Sequence, residues 1–219
     1  MAGISATGRI SIQVSLSGYS LFSRWYSPDK AFTAPEFQRR YDSVELSLLT
    51  PKVALVPDRF FDPARCREAL SDVVDLEDGD RVSHVALPEF SAVLVYSLDI
   101  GESLSAMLSR TVLLSDGSPS RVLPEMYWLL DSIKLCRDYN KILASYRDGW
   151  LHLVIAQGRN LLLANVFRAP DFTTAEYFIF LALKKLQMNP EVSTVCFRTP
   201  LETDEEMSLY RYFKSVEQI

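Results

Sequence analysis

Cysteine and histidine are scarce in this chain, and their scarcity argues against whole classes of site. The 219 residues include three cysteines and two histidines. Cys66, Cys136 and Cys196 lie far apart in sequence, which favours reduced, buried thiols over a disulfide framework. His84 and His152 lie in strand patterns. We predict that each is a packing residue, either at a sheet edge or half-buried. No zinc-ligand spacing exists, and we predict no metal site.

Glycine is also sparse, and each of the eight glycines is isolated. There is no Gly-Gly and no G-x-G, so the dinucleotide fingerprint, the phosphate loop and the nucleophile elbow are all missing from the sequence. The chain lacks the motifs through which most nucleotide-binding proteins approach phosphate. We therefore predict no cofactor.

The chain also has fewer basic than acidic residues, and it has no long apolar run. The formal net charge is −5, and the basic residues are dispersed, so we expect no attraction to nucleic acid. The longest apolar run, at 177 to 183, is far shorter than the ~18 residues of a membrane-spanning helix. No N-terminal stretch reads as a signal peptide. A composition that is 48% apolar predicts a folded, soluble, cytoplasmic protein without membrane insertion.

The second half of the chain shows the clearest secondary-structure pattern. Three apolar-rich runs at 140–147, 150–157 and 160–167 each have the length of a strand. Asp148-Gly149 is a strong two-residue hairpin turn. Because the connections are so short, we predict a three-stranded antiparallel meander.

Two helices and one strand are predicted after the meander. Thr173 and Glu176 stand in capping-box spacing before an apolar helix that Asn189-Pro190 ends. A buried strand follows at 192–197. Thr203 and Glu206 repeat the capping box and begin a closing helix that runs to about residue 218, with the apolar stripe Met207, Tyr210 and Phe213.

The first half also opens with a hairpin, at 9–16 and 19–26 around Ser17-Gly18. Strand and helix patterns then alternate. They predict a helical segment near 35–41, strands at 43–49 and 52–57, a helix from Pro63 to Leu70 capped by Asp62, strands on both sides of Pro88, a helix capped by Asp99 and Glu102, a strand at 111–114, and a helix from about Pro124 to Arg137.

Each half therefore begins with a meander and continues into strand-helix units, which predicts a duplicated α/β fold. We place the domains at 1–137 and 138–219. Only about 17 residues separate the first hairpin from the strand at 43–49, so the first lobe is expected to be trimmed.

A β-β-β-α-β-α unit that occurs twice is the layout of the actin-like ATPase, or ribonuclease H-like, superfamily. The chain resembles an uncharacterised family of Bacteroidetes proteins, a domain of unknown function with this duplicated fold. The resemblance also implies kinship with cytoplasmic scaffolds of pilus and type II secretion machines. The stretches that carry it are "RISIQVSLSGYSLFS", "KVALVPDRFFDP", "VYSLDIGESLSAML" and "LHLVIAQGRNLLLANVFRAPDFTTAEYFIFLALKKLQMNPE".

Nucleotide-binding relatives in that superfamily hold phosphates with the turns of both opening hairpins, and an acidic residue on the first strand organises magnesium. Here the first turn, at 15–19, carries no carboxylate. The second turn has Asp148 and Gly149, but the bulky Trp150 follows them. The resemblance thus implies a fold that has lost its phosphate-binding residues.

Three hypotheses for function follow. The favoured one is a non-catalytic protein-interaction or scaffold module with an unknown protein partner, for which Trp25-Tyr26 or Tyr210 and Tyr212 are candidate anchors. The alternative is a divergent nucleotide-binding or phosphotransfer protein that uses Asp148-Gly149 and Ser17-Gly18 as facing turns. The third is a metal nuclease with Asp148, Asp171 and Glu176 as ligands. We assign no catalytic, cofactor-binding or metal-binding residue.

Overall fold

The computed structural model describes residues 8–21, 24–98 and 102–219, and within these ranges the side chains of 31–33 and 102–103 are left aside. The predicted helix cap at Asp99 lies outside the described residues. The strands are β1 (Arg9–Ser15), β2 (Gly18–Leu21), β3 (Arg24–Tyr26), β4 (Arg40–Tyr41), β5 (Ser43–Leu48), β6 (Val53–Pro57), β7 (Val82–Leu87), β8 (Ala92–Ser97), β9 (Leu113–Leu114), β10 (Val122–Pro124), β11 (Asn140–Arg147), β12 (Trp150–Gln157), β13 (Asn160–Arg168), β14 (Thr194–Phe197) and β15 (Ser215–Gln218). The α-helices are α1 (Cys66–Ser71), α2 (Glu102–Thr111), α3 (Glu125–Ser132), α4 (Phe172–Lys185) and α5 (Thr203–Leu209).

The first five-stranded sheet has the order β10-β5-β1-β2-β3. β1 and β2 form the predicted hairpin, in which Val14 lies opposite Tyr19. The single strand predicted at 19–26 is divided into β2 and β3, which pair antiparallel with Leu21 opposite Arg24. β5 and β10 extend the sheet in parallel on the other side of β1.

The second sheet has the order β13-β12-β11-β14-β15 and contains the predicted meander at the expected residues. Asp148 and Gly149 join β11 to β12 with φ of 52° and 77°. A two-residue hairpin turn of this hand needs positive φ at both central positions, which explains the Asp-Gly pair. Apolar side chains on every strand of this sheet except β13 are fully buried and form its core with α4.

Both sheets have the same topology, and this confirms the predicted duplication. In each, three antiparallel strands are followed by two strands parallel to the first, and the fourth and fifth strands lie on the same side. α4 fills the connection between the third and fourth strands of the second sheet. Two 3-10 turns, Pro28–Thr33 and Pro35–Gln38, take that place in the first sheet, as its short length predicted.

The end of the chain differs from the prediction. The closing helix α5 stops at Leu209, and residues 215–218 form β15, a strand parallel to β14. Phe213 and Val216 are buried against the sheet. Met207 and Tyr210 are 58% and 46% exposed, so the predicted apolar stripe is wrong for both.

The cap of α5 is shifted by one residue from the predicted Thr203 and Glu206. Glu202 is the N-cap, and its side chain forms a reciprocal capping box with Glu205. Glu202 has the extended backbone of a cap (φ −73°, ψ 155°), whereas Thr203 is already helical.

The cap of α4 also differs. The carboxylate of Asp171 accepts the backbone N–H of Thr174, so Asp171 and not Thr173 begins the helix. Glu176, predicted as the partner in a capping box, has a buried Oε1 without a hydrogen-bond partner among the described residues.

The middle part of the chain forms a smaller sheet with a helix packed on it. The strands β6, β8 and β7 form a small antiparallel sheet that packs against α1. Asp62 accepts the backbone N–H of Ala64, which confirms the predicted cap ahead of α1. α3 lies between this small sheet and the second sheet, with Met126 and Leu129 buried beside Val154.

The proposed division into 1–137 and 138–219 stays a prediction. The longest helix in the described ranges is α4 with 14 residues, and none there is long and apolar enough to cross a membrane.

Candidate functional site

The β1–β2 turn and the β11–β12 turn face each other across the interface between the first and second sheets, which we call the seam. The backbone N–H of Ser17 donates to the Asp148 carboxylate at 3.1 Å. A backbone N–H at a tight turn is the kind of group that binds a phosphate oxygen in nucleotide sites. Here the N–H of Ser17 binds a carboxylate of the facing turn, so an anionic side chain of the protein occupies the position.

Side chains close the same end of the seam. The Arg147 guanidinium stacks on the Trp25 indole, 4.3 Å from the ring. A Cβ built on Gly18 lies 2.0 Å from the carbonyl oxygen of Tyr26. The strand β3 therefore covers the first turn tightly and leaves no open space beside its glycine.

Deeper in the seam, Glu125 at the start of α3 is fully buried and accepts four hydrogen bonds. Gln13 donates from β1 at 2.9 Å, and Ser145 donates from β11 at 2.5 Å. Ser47 of β5 also donates to this carboxylate. Arg198, just after β14, donates through Nε at 3.2 Å. Four donors from both sheets thus satisfy the carboxylate.

The Arg198 guanidinium links this buried carboxylate to a second one. Its side chain is 7% exposed, and Nη2 lies 3.6 Å from Glu45 Oε2. Nη1 donates to the Ser132 hydroxyl at 2.8 Å. Arg9 pairs with the other oxygen of Glu45 at the surface. Because each acid has a basic partner, the network carries no uncompensated charge.

His152 on β12 lies against the same seam and is fully buried, so the expected half-buried packing position is wrong. Its Nε2 lies 2.9 Å from the carbonyl oxygen of Thr50, and Nδ1 has no partner within the described residues. Burial lowers the pKa of His152, although the Thr50 hydrogen bond and the Glu125 charge oppose the shift. The lowered pKa favours the neutral imidazole in the folded protein.

We expect this buried imidazole to make stability depend on pH. The unfolded histidine takes up a proton near its ordinary pKa of ~6.5, whereas the folded one does not until lower pH. Its contribution is therefore present above pH 6.5 and is lost as pH falls below it. The free energy of unfolding, measured with urea at several pH values, should be lower at pH 5.5 than at pH 7.5 because of this residue.

His152→Gln should remove that part of the pH dependence, because glutamine does not titrate. An unchanged slope in His152→Gln would contradict the assignment.

No thiol combines solvent exposure with a lowered pKa, since only the pKa of the buried Cys136 is lowered. Cys136 and Cys196 are buried, as predicted. Cys66 is partly exposed, so the prediction of a buried thiol is wrong there, and its sulfur is 3.5 Å from His84 Nδ1. Burial and the nearby Asp62 carboxylate raise the pKa of Cys66, which disfavours the thiolate.

The three carboxylates of the nuclease hypothesis make separate contacts. Asp148 binds Ser17, and Asp171 accepts both the backbone N–H and the hydroxyl of Thr174. Glu176 contributes no capping contact. In the part of the chain that the structure describes, no three His, Cys, Asp or Glu side chains lie close enough to hold a metal ion.

Sequence reasoning found the two turns but missed the buried network. Glu125 looks like an ordinary acid in the first turn of a helix, where it suits the helix dipole. Arg198 follows a strand without any motif. Their pairing joins residues 73 positions apart, and only the folded topology brings them together.

Solved structures with a similar chain path define the class of fold. A protein of unknown function from Bacteroides thetaiotaomicron VPI-5482, described as having an actin-like ATPase fold, matches with a TM-score of 0.68 at 16% identity over 96% of this chain and 90% of that chain. A chain of the PilM-PilN type IV pilus biogenesis complex matches with a TM-score of 0.50 at 14% identity over 98% of this chain and 89% of that chain. The protein has the actin-like ATPase fold.

The particular family follows from residues 6–216, which match the family described as protein of unknown function (DUF3822). The chain belongs to this family. None of the curated proteins matches it. The family match and the solved structures agree with the resemblance to an uncharacterised family with a duplicated actin-like fold.

Proposed function

We propose that this protein is a non-catalytic interaction or scaffold module built on an actin-like ATPase fold whose seam no longer accepts a nucleotide. The observation that carries the proposal is the contact between the two hairpin turns, in which the Asp148 carboxylate takes the backbone N–H of Ser17. A phosphate brought to this turn would meet a fixed negative charge and would have to displace it.

The buried network supports the same proposal. The ion pair between Arg198 and Glu125 ties the end of β14 to α3, and Gln13 joins them from β1. Opening the seam for a ligand would separate these groups and leave charges unpaired, which is costly in a protein interior. We therefore propose that the two sheets keep a fixed arrangement at the seam.

A protein partner is supported by one neighbour and by the surface. The pilus biogenesis structure is a complex of two proteins, PilM and PilN, and its fold is shared with this chain. Tyr210 and Tyr212 are 46% and 50% exposed, as expected for anchors, whereas Trp25 and Tyr26 are half-buried. Exposed tyrosines are common in protein interfaces. With a net charge of −5, we propose a protein partner in the cytoplasm in preference to nucleic acid.

We expect adenine and guanine nucleotides with magnesium to leave the melting temperature unchanged. A ligand at 100 times its dissociation constant adds ~2.7 kcal/mol of stability, which is about 5–10 °C for a chain of this size. Differential scanning fluorimetry with 1 mM nucleotide and 5 mM magnesium chloride measures this, with an active ATPase as the positive control. A saturable, magnesium-dependent rise would end the proposal.

The facing turns also favour an alternative, a divergent nucleotide-binding or phosphotransfer protein with Asp148-Gly149 and Ser17-Gly18 on either side of the phosphates. In that case Asp148 would act through magnesium. Asp148→Asn keeps an acceptor for Ser17 but removes the charge, so it should abolish magnesium-dependent nucleotide binding if the alternative holds. Unchanged binding by the variant in isothermal titration would refute this role for Asp148.

A further inference from the structure

The strand β13 is an edge strand of the second sheet, and one of its faces packs against α3 and β6. Among the described residues it pairs with β12 alone, and it is the longest strand with nine residues. All nine side chains are exposed or half-buried, whereas the six central residues of β12 are buried. Long edge strands present unpaired backbone groups that another strand can bind.

The hydrogen-bond pattern shows which amides of β13 face outward. Ala169 donates to the carbonyl oxygen of Gly149 at 2.8 Å, which fixes a hydrogen-bonded pair at the end of the hairpin. Because such pairs alternate in an antiparallel ladder, Ala164 and Val166 direct their backbone groups away from β12. Val166 N–H accordingly binds the side-chain oxygen of its neighbour Asn165 at 2.9 Å.

A groove of about 260 Å³ runs beside this edge, between β13 and α4. Its apolar wall is made by Leu163 and Phe167 of β13, by Phe178 and Leu181 of α4, and by Leu186 just after this helix. The strand edge and the groove together offer hydrogen bonds for an extended backbone and a pocket for its alternate side chains, which is the arrangement used in β-strand addition.

Charge around the groove is positive, in contrast to the net charge of −5. Lys185 lines the groove, Lys184 is exposed beside it on α4, Arg168 is exposed at the end of β13, and Arg159 is exposed in the turn before β13. Asp171, the N-cap of α4, uses its carboxylate to cap the helix. The surface thus fits a segment that carries negative charge.

We infer that the edge of β13 and its groove bind an extended acidic segment of a partner protein, in which apolar residues alternate with Asp or Glu. The segment adds as a strand at Ala164 and Val166, and its apolar side chains enter the groove. This inference rests on the proposed interaction function and names its surface and the class of its partner.

A second copy of this chain fits less well. Pairing two β13 edges across a two-fold axis would place the same cations, Arg168 and Lys185, on both sides of the interface. Like charges that face each other in an interface are destabilising, whereas an acidic segment neutralises them.

The test is selection of random nine-residue peptides displayed on yeast against the whole chain in 50 mM sodium chloride. Enriched peptides should alternate apolar and acidic residues. Ala164→Pro removes one outward N–H, which a strand edge tolerates, and should weaken a synthesised enriched peptide about tenfold in fluorescence anisotropy. The charge reversal Arg168→Glu with Lys185→Glu should do the same, and Arg121→Glu, at an exposed position just before β10, is the control.

Asn165→Ala is expected to change peptide binding in the opposite direction. It frees Val166 N–H from its neighbour's side chain and should strengthen peptide binding about threefold, which a merely structural role of Asn165 would not produce. Circular dichroism of each variant shows whether it is folded, and the charge reversal still tests the surface if Ala164→Pro unfolds.

Three results would overturn the inference: no enrichment, enrichment of peptides that bind Ala164→Pro and the charge reversal unchanged, or a dimer in light scattering that Ala164→Pro abolishes. The last would make a second copy the occupant. Each leaves the proposed function intact, because nucleotide binding tests that function separately.

Discussion

Glu125→Ala is expected to lower the free energy of unfolding by about 3–5 kcal/mol, because it removes one partner of a buried ion pair. The Arg198 side chain is 7% exposed and would remain in the seam with the more distant Glu45, at 3.6 Å, as its counter-ion. Gln13 and Ser145 would each lose the acceptor of a buried hydrogen bond. Urea unfolding followed by circular dichroism measures the change.

Two further variants show whether charge or volume causes the loss. Glu125→Gln keeps the shape and an acceptor oxygen, so it should cost less than the alanine variant. Glu89→Ala replaces an exposed glutamate and should change stability by less than about 0.5 kcal/mol. A loss below about 1 kcal/mol in Glu125→Ala would show that the network contributes little and that the seam is free to open.

Local sequence chemistry predicted those parts of the fold that depend on neighbours in sequence. Asp148-Gly149 takes the positive φ values of a tight hairpin, and Asp62 caps the segment that leads into α1. The duplicated topology also followed from the pattern, since a meander and strand-helix units recur in both halves. The family match and the solved neighbours confirm that prediction.

Features that depend on distant contacts could not be predicted. β15 has one buried residue, Val216, and reads as the end of a helix until β14 offers its parallel edge. His152 has the same local pattern as a half-exposed strand residue, and it is buried because the segment around Thr50 lies over it. The Glu125 carboxylate gains its importance from three strands and Arg198, none of which adjoins it in sequence.

Gly18→Ala is expected to destabilise the protein by about 2–4 kcal/mol, through overpacking and an unfavourable backbone angle. The φ of Gly18 is 146°, and an added Cβ would lie 2.0 Å from the carbonyl oxygen of Tyr26. The obstacle is backbone, so β3 must move as a unit. Trp25, 3.1 Å from the same position through Nε1, would shift with it, and its stacking with Arg147 would loosen.

Gly79→Ala is the matched control, because a Cβ there meets nothing within 4 Å, and it should change stability by less than about 0.5 kcal/mol. Thermal unfolding gives the stability, and tryptophan emission reports whether Trp25 moves. The comparison also tests whether the seam has room for a ligand. A glycine that lets a phosphate approach the backbone has open space beside it, whereas β3 encloses Gly18. If Gly18→Ala were as stable as Gly79→Ala, that enclosure would be wrong, and room for a ligand beside the first turn would have to be reconsidered.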